Sequence, residues 1–139
     1  MDFERFTEKT RGFMQKAQTL ATRNNHQSLE PEHMLKVMLE DEDGQVQSLI
    51  RNAAGDPDKL RGLAEKEIAK FPSVQGPGAG QLRLSGDLVK IMDESTQIAE
   101  KAGDKYVTAE RLLQAMSLAK RSNIVDLFEQ AGLKEKALN

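Results

Sequence analysis

The chain contains 139 residues, with 20 Lys and Arg against 22 Asp and Glu, so its formal net charge at pH 7 is only −2. This length suits one compact domain with its own core. Because no block of basic residues stands out, a nucleic-acid partner is not expected. The absence of Cys excludes disulfides and thiolate chemistry and favours a cytoplasmic location. The chain lacks a secretory signal pattern and an apolar run of about 18 residues, so no membrane association is expected.

Apolar residues at helical spacing predict four helices in the first half of the chain. The first covers about residues 3–24, and the second starts at Pro31, whose fixed φ suits the first helical position. Two more follow, and the last of them opens with Pro57 and ends before Pro72. The stretch PSVQGPGAG at positions 72–80 is rich in Gly and Pro and predicts an exposed, mobile loop.

Three further helices are predicted in the second half. Ser85 is a good N-cap for the first of them, and Gly103 suits the left-handed position at its end. The next begins near Thr108, and a shorter one ends at Gly132. The sequence therefore predicts an all-α fold.

The second half of the chain repeats the pattern of the first at a spacing of 78 residues. Asn25 and Gly103, the two residue types best suited to a left-handed helix end, fall at matching positions. After a slip of one residue, Ala54–Gly55 aligns with Ala131–Gly132. Identical residues at this spacing are Met14 and Met92, Ala21 and Ala99, Glu32 and Glu110, Leu35 and Leu113, Met38 and Met116, and Leu49 and Leu127.

This repetition predicts a single domain over residues 1–139, folded as a pseudo-two-fold helical bundle. One repeat covers about residues 3–55 and the other about residues 85–138, and each buries an apolar middle helix. Residues 56–84 form the connector between the repeats.

No constellation of residues in the sequence predicts catalysis. The glycine cluster at positions 76–80 is followed by Gln-Leu-Arg rather than by the Lys-Ser/Thr of a phosphate-binding loop. The acidic stretch Asp41–Gly44 lacks the ligand spacing of a calcium loop, and His26 and His33 lie outside any zinc-binding motif. We therefore expect no catalytic residue, no metal site and no cofactor within this chain.

Four segments carry a resemblance to a known family. They are AQTLA at 17–21 and LEPEHML at 29–35 in the first half, and AEKAGD at 99–104 and VTAERLL at 107–113 in the second. In these segments the chain resembles the Clp repeat N-terminal domain, in the form found in ClpB-type AAA+ disaggregases. The resemblance implies a bundle of about eight helices, which in the family precedes two ATPase modules of a hexameric ring.

The expected function rests on this resemblance. It implies a substrate-binding domain that engages unfolded or aggregated polypeptide and passes it to the AAA+ ring, which works with the DnaK chaperone system. ATP and Mg²⁺ would belong to the ring of the longer parent protein. This chain by itself is expected to be a monomeric fragment without enzymatic activity. The alternative is an adaptor-docking N-terminal domain of a protease-linked ClpA- or ClpC-type ATPase, which the coding sequence after residue 139 would distinguish.

The family's substrate site has matching positions in this chain. The resemblance implies a polar set, Thr7, Asp104 and Glu110, beside an apolar groove that contains Met92 and Ile98. Structural roles remain open for each polar residue. Thr7 could cap a helix, Asp104 could be a turn residue after a helix end, and Glu110 could be a carboxylate favoured in the first turn of a helix.

Two positions depart from the family pattern. Glu94 and Arg111 stand where related domains commonly carry apolar residues. The groove is therefore either narrower in this chain or suited to polar or charged segments. Alanine at Thr7 or Asp104 is expected to change the free energy of unfolding by no more than about 0.5 kcal/mol, as at most exposed sites.

Overall fold

Helices dominate the computed structural model, which describes residues 3–74, 82–120, 122–134 and 137–138. In this part of the chain there are seven α-helices, a short 3-10 helix and one pair of two-residue strands, so the all-α prediction is confirmed. The elements are the 3-10 helix Phe3–Arg5, α1 Glu8–Arg23, β1 Ser28–Leu29, α2 Pro31–Leu39, α3 Gln45–Asn52, α4 Pro57–Ala69, β2 Arg83–Leu84, α5 Gly86–Lys101, α6 Ala109–Ser117 and α7 Ile124–Gln130.

Polar caps in the sequence explain where four of the helices start. The side chains of Thr7, Asp56, Ser85 and Thr108 each accept a hydrogen bond from the backbone N–H three residues later. Thr7 itself has extended backbone angles and caps α1, so the residues before it form a separate 3-10 turn. The prediction of one continuous helix over residues 3–24 is therefore wrong at its N-terminal end.

Four helices end in the same left-handed turn. Asn25, Ala54, Gly103 and Gly132 have φ values of 58°, 70°, 78° and 94°. In each case the N–H of the following residue donates to the carbonyl five positions before it. The first and third of these residues are 78 positions apart, and so are the second and fourth. The predicted one-residue slip is therefore wrong, because Ala54 is the counterpart of Gly132 rather than of Ala131.

The two repeats hold each other through reciprocal backbone pairing. In the parallel pair β1–β2, Leu29 lies opposite Leu84, and a separate parallel bridge joins Phe6 to Val107. Leu84 lies 78 residues after Phe6, and Val107 lies 78 residues after Leu29. Exchanging the two repeats therefore converts one contact into the other, as a pseudo-two-fold axis requires.

One hydrophobic core runs through residues of both repeats. The middle helices α2 and α6 are buried along most of their length, as predicted, and pack on α1 and α5, respectively. The predicted division into residues 3–55, 56–84 and 85–138 stays a prediction. The largest fully buried side chains are Phe6, Leu29, Met34, Leu35, Met38, Ile50, Leu60, Leu88, Ile91, Met92, Leu112 and Leu113.

The predicted mobile loop at positions 72–80 lies largely outside the described residues. Of this stretch the structure describes 72–74, which follow α4 without regular secondary structure. Among the helices that the structure describes, none is both long and apolar enough to cross a membrane.

Candidate functional site

The predicted polar residues gather where the start of α1 meets the loop between α5 and α6. The N–H of Thr7 donates to the carbonyl of Val107 at 3.0 Å, and the N–H of Val107 donates to the carbonyl of Arg5 at 2.7 Å. Asp104 precedes Val107 in this loop, and Glu110 follows it in the first turn of α6. The backbone bridge therefore brings Thr7 to the segment that carries the other two predicted residues.

The hydroxyl of Thr7 has a structural role. Its Oγ1 accepts the N–H of Thr10 at 3.2 Å and lies 2.8 Å from the hydroxyl oxygen of Thr10. The side chain is half-buried. Of the alternatives that the sequence left open for Thr7, the structure thus shows helix capping.

The carboxylate of Asp104 is paired within the domain. Its Oδ2 accepts a hydrogen bond from Nε of Arg111 at 2.7 Å, and Nη1 of Arg111 donates to Oε1 of Gln114 at 3.0 Å. The Asp104 and Arg111 side chains are 30% and 24% exposed, so water reaches both. Arg111, which departs from the family pattern, therefore pairs with the carboxylate of Asp104, one of the three predicted polar site residues.

Glu110 is exposed in the first turn of α6, where the positive end of the helix dipole favours a carboxylate. Its counterpart in the first repeat, Glu32, has the same helical position but is only 5% exposed. Burial raises the pKa of Glu32 to about 7, and the carboxylates of Glu30, Glu67 and Asp87 act in the same direction. The repeated Glu therefore has two different environments.

The predicted apolar groove is not formed by the two residues assigned to it. Met92 is 1% exposed and belongs to the core, so its assignment to an accessible groove is wrong. Ile98 is half-buried and packs against the core. Positions six residues apart on an α-helix point about 120° away from each other, so Met92 and Ile98 do not share one face of α5.

A shallow groove does run between α5 and α6. It has a volume of about 310 Å³ and includes the apolar residues Ala115, Leu118 and Ala119. Glu94 lies in its lining, so this departure from the family pattern adds a carboxylate to the groove. Arg111 is not among the lining residues.

The pseudo-two-fold places a second groove between α1 and α2, which sequence reasoning missed. Its volume is about 690 Å³, and Lys16 lies in its lining where Glu94 lies in the groove of the second repeat. Arg23 adds a further positive charge, whereas Lys36 pairs with Glu40 of the same lining. The 78-residue spacing could have located this groove, because it relates Lys16 to Glu94 directly.

Two histidines that sequence reasoning set aside lie together in the interior. His26 and His33 are 5% and 0% exposed, and Nδ1 of His26 lies 2.9 Å from Nε2 of His33. No periodic signal marks this pair, because His26 lies in the loop after α1. Among the described residues there is no group of three or more His, Cys, Asp or Glu side chains suited to a metal ion.

Comparison with known families matches residues 5–131 to the Clp repeat (R) N-terminal domain. The chain belongs to this family. The ClpB chaperones of Mesorhizobium japonicum and Agrobacterium fabrum are each 42% identical to it over all 139 residues, and that of Brucella suis is 40% identical over the same length. The chain covers only 16% of each of these proteins. The resemblance inferred from the four sequence segments is confirmed.

Solved structures show the same Clp N-domain fold. The Hsp104 N-terminal domain from Candida albicans superposes with a TM-score of 0.81 at 22% identity, covering 96% of this chain and 85% of that one. The N-terminal domain of the ClpV1 ATPase from E. coli gives 0.81 at 19% identity, with coverages of 97% and 82%. A ClpV N-domain in complex with a VipB peptide gives 0.75 at 19% identity, again covering 97% and 82%.

Proposed function

We propose that this Clp N-domain is the substrate-binding part of a ClpB-type disaggregase, which engages unfolded or aggregated polypeptide and passes it to a hexameric AAA+ ring. The main support is the 42% identity to ClpB chaperones over the whole chain. Because the chain covers 16% of those relatives, the ring and its use of ATP and Mg²⁺ belong to the rest of the parent protein. Cooperation with the DnaK system and a cytoplasmic location are part of the same proposal.

The client surface is proposed at the bridge between the N-terminal segment and the α5–α6 loop. Tyr106 and Phe3 are large apolar side chains that are 47% and 40% exposed, and they flank the bridge between Phe6 and Val107. Exposed aromatic side chains are frequent anchors of protein interfaces because they bury a large area at little cost in conformational entropy. Unfolded polypeptide offers apolar side chains that such anchors can contact.

We assign the three predicted polar residues and Ile98 to the same client surface. The exposed carboxylate of Glu110 can pair with a Lys or Arg of the client, and Ile98 contributes apolar area. Asp104 contributes only where a client donor shares its carboxylate with Arg111. Thr7 contributes through the part of its side chain that the cap leaves accessible. Met92 has no place in this surface.

Binding of a denatured model client to the 139-residue domain tests the proposal. Tyr106→Ala is expected to weaken binding about fivefold or more, the effect of losing about 1 kcal/mol at an interface anchor. The melting temperature should stay close to that of the parent, because the ring is half-exposed. Lys66→Ala, an exposed change on α4, is the matched control. Full binding by both Tyr106→Ala and Glu110→Gln would place the client surface elsewhere.

The adaptor-docking role in a ClpA- or ClpC-type ATPase is the less favoured candidate. The relatives that are 40 to 42% identical are ClpB chaperones, and this supports the disaggregase. A protease-docking loop in the sequence that follows residue 139, in place of an inserted coiled coil, would favour the adaptor-docking role.

A further inference from the structure

The only two histidines of the chain are in contact inside the domain. His26 lies in the loop after α1, and His33 lies in the first turn of α2. Their ring centroids are 5.1 Å apart. Phe71, which follows α4, makes edge-to-face contacts with both rings, at centroid distances of 5.5 Å and 5.3 Å. The pair therefore joins three separate parts of the first repeat and connector.

The hydrogen bonds determine which nitrogen of each ring carries the proton. The N–H of Glu30 donates to Nδ1 of His33 at 2.9 Å, so Nδ1 of His33 is an acceptor. The proton of His33 then lies on Nε2 and is donated to Nδ1 of His26. His26 must consequently carry its proton on Nε2. Both rings are neutral in this arrangement, and each uses its unprotonated Nδ1 as an acceptor.

A further proton on either ring is incompatible with these contacts. Protonated Nδ1 of His33 would face the N–H of Glu30, and protonated Nδ1 of His26 would face the N–H of His33. Each case replaces a hydrogen bond with two opposed donors. Burial lowers the pKa of both rings, and with the neighbouring His26 it lowers that of His33 to about 4.

The acidic groups around the pair do not remove this conflict. Glu30, the residue before α2, lines the same small cavity as His26. Glu32 of α2, with Glu67 of α4 and Asp87 of α5 acting on it, has a pKa of about 7. Because Glu32 takes up its proton before the imidazoles do on acidification, it supplies little negative charge to stabilise an imidazolium.

The segment that follows α4 is hydrogen-bonded to the loop that carries His26. The hydroxyl of Ser73 donates to the carbonyl of Asn24 at 2.9 Å, and the N–H of Val74 donates to the carbonyl of Asn25 at 2.8 Å. Val74 and Pro72 line a cavity of about 160 Å³ together with His26 and Phe71. Opening of the histidine pair would therefore disturb the loop that residues 71–74 contact.

We propose that the His26–His33 pair is an acid-sensitive latch, which holds residues 71–74 against the corner between α1 and α2 while both rings are neutral and releases them when the pair takes up a proton. A released imidazole in water titrates near pH 6.5. Since the closed pair resists protonation, the latch is fully stable above about pH 6.5. Below that value the released form gains roughly tenfold for each pH unit.

NMR of the isotopically labelled chain tests the latch, and two histidines give only two imidazole spin systems to assign. At pH 7.5, both Nδ1 atoms should be unprotonated. Between pH 7 and pH 5, opening at the Val74 amide, corrected for the intrinsic pH dependence of exchange, should rise about 25-fold. The amide of Leu35 in α2 is the internal reference. A protonated Nδ1 on His33, or a constant opening at Val74, would overturn the proposal. An equal rise at Leu35 would show opening of the whole domain and would overturn it as well.

Two variants separate the latch from other acid effects. His26→Gln offers a side-chain oxygen to the N–H of His33 but does not titrate, so the acid response at Val74 should shrink to the part that His33 contributes. Glu32→Gln should keep that response, because it leaves the pair intact. Loss of the response in Glu32→Gln, or its full retention in His26→Gln, would assign it to another group. If His26→Gln fails to fold, the protonation states and the Val74 exchange of the parent chain still decide the question.

Discussion

Ala54 has a backbone conformation that residues with a Cβ atom rarely adopt. It takes the left-handed conformation with a φ of 70°, whereas its counterpart in the second repeat is Gly132. A residue with a Cβ atom pays roughly 1 to 2 kcal/mol there. The turn is retained because the helix-ending hydrogen bond from Gly55 to Ile50 depends on it.

Ala54→Gly is expected to raise the free energy of unfolding by about 1 kcal/mol. The gain is the strain relieved, less the larger entropy that Gly gives to the unfolded chain. Urea unfolding measures it. Gly132→Ala is the matched control and should lose stability, since it places a Cβ atom at a φ of 94°. A neutral or destabilising Ala54→Gly would contradict this account of the turn.

Glu32 is expected to make the domain less stable as the pH rises. Its pKa is raised from 4.5 to about 7 by burial, so the folded state holds the proton more tightly than the unfolded chain does. This contribution is complete below pH 4.5 and is lost as the pH rises through 7. The difference between the two values corresponds to roughly 3 kcal/mol.

Comparing Glu32→Gln with the parent chain isolates this contribution. Its advantage in urea unfolding should grow by up to about 3 kcal/mol between pH 4.5 and pH 7.5. With the carboxyl removed, the opposite effect of His33 should appear, because a lowered histidine pKa makes stability fall as the pH drops below 6.5. A difference between variant and parent that does not change with pH would disprove the buried acid.

At the scale of the element, the start of α1 depends on one hydroxyl. Thr7→Ala is expected to cost about 1 kcal/mol, since it removes the acceptor for the N–H of Thr10. This exceeds the value of about 0.5 kcal/mol expected when Thr7 was taken as an exposed site. Thr19→Ala, at an exposed threonine of the same helix, should have a smaller effect. Thermal melts of both variants provide the comparison.

The cap also determines how Thr7 can be tested as a client contact. Thr7→Ser keeps the capping oxygen and removes a methyl group, so it can be assayed for binding without loss of α1. If Thr7→Ala melts like Thr19→Ala, the cap contributes little, and the capping role would have to be abandoned.

At the scale of the whole molecule, the repeats meet closely at Gly55. A Cβ atom built there would lie 2.8 Å from Cγ of Leu133 and 3.0 Å from Cγ2 of Ile50. Beside it, the N–H of Asp56 donates to the carbonyl of Ala131 at 2.9 Å. This glycine is therefore required by close approach rather than by its φ.

Gly55→Ala is expected to cost about 1 to 3 kcal/mol through overpacking between the repeats. Adding Leu133→Val should recover part of the loss, because it removes a carbon atom from the crowded side chain. Urea unfolding of the two single variants and the double variant gives the coupling between them. Additive losses would mean that the two positions do not meet in solution.

The shared core also predicts one cooperative unfolding transition. Leu35 and Leu113 are both 0% exposed, one in each repeat. Replacing either by Ala should cost roughly 2 to 5 kcal/mol and shift the whole transition to lower urea. Two separate transitions, each sensitive to one of the variants, would show that the repeats unfold independently.

The sequence alone determined the fold class, most helix ends and the repeat, because the signals for these are local. A capping hydroxyl and its N–H are three residues apart, and a left-handed turn is set within five, as at Ser85 and Gly103. The family followed from short segments for the same reason. The reciprocal pairing of Leu29 and Phe6 with the opposite repeat was consistent with these signals but was not contained in any of them.

Only the tertiary structure decided which side of each apolar stripe is covered. Met92 is 1% exposed and belongs to the core, and periodicity does not say which neighbouring element covers a face. The Asp104–Arg111 pair, the contact between His26 and His33 and the environment of Glu32 depend on side chains from different elements. Hydrogen bonding and desolvation act over a few ångströms in space, and separation along the chain carries little information about such distances.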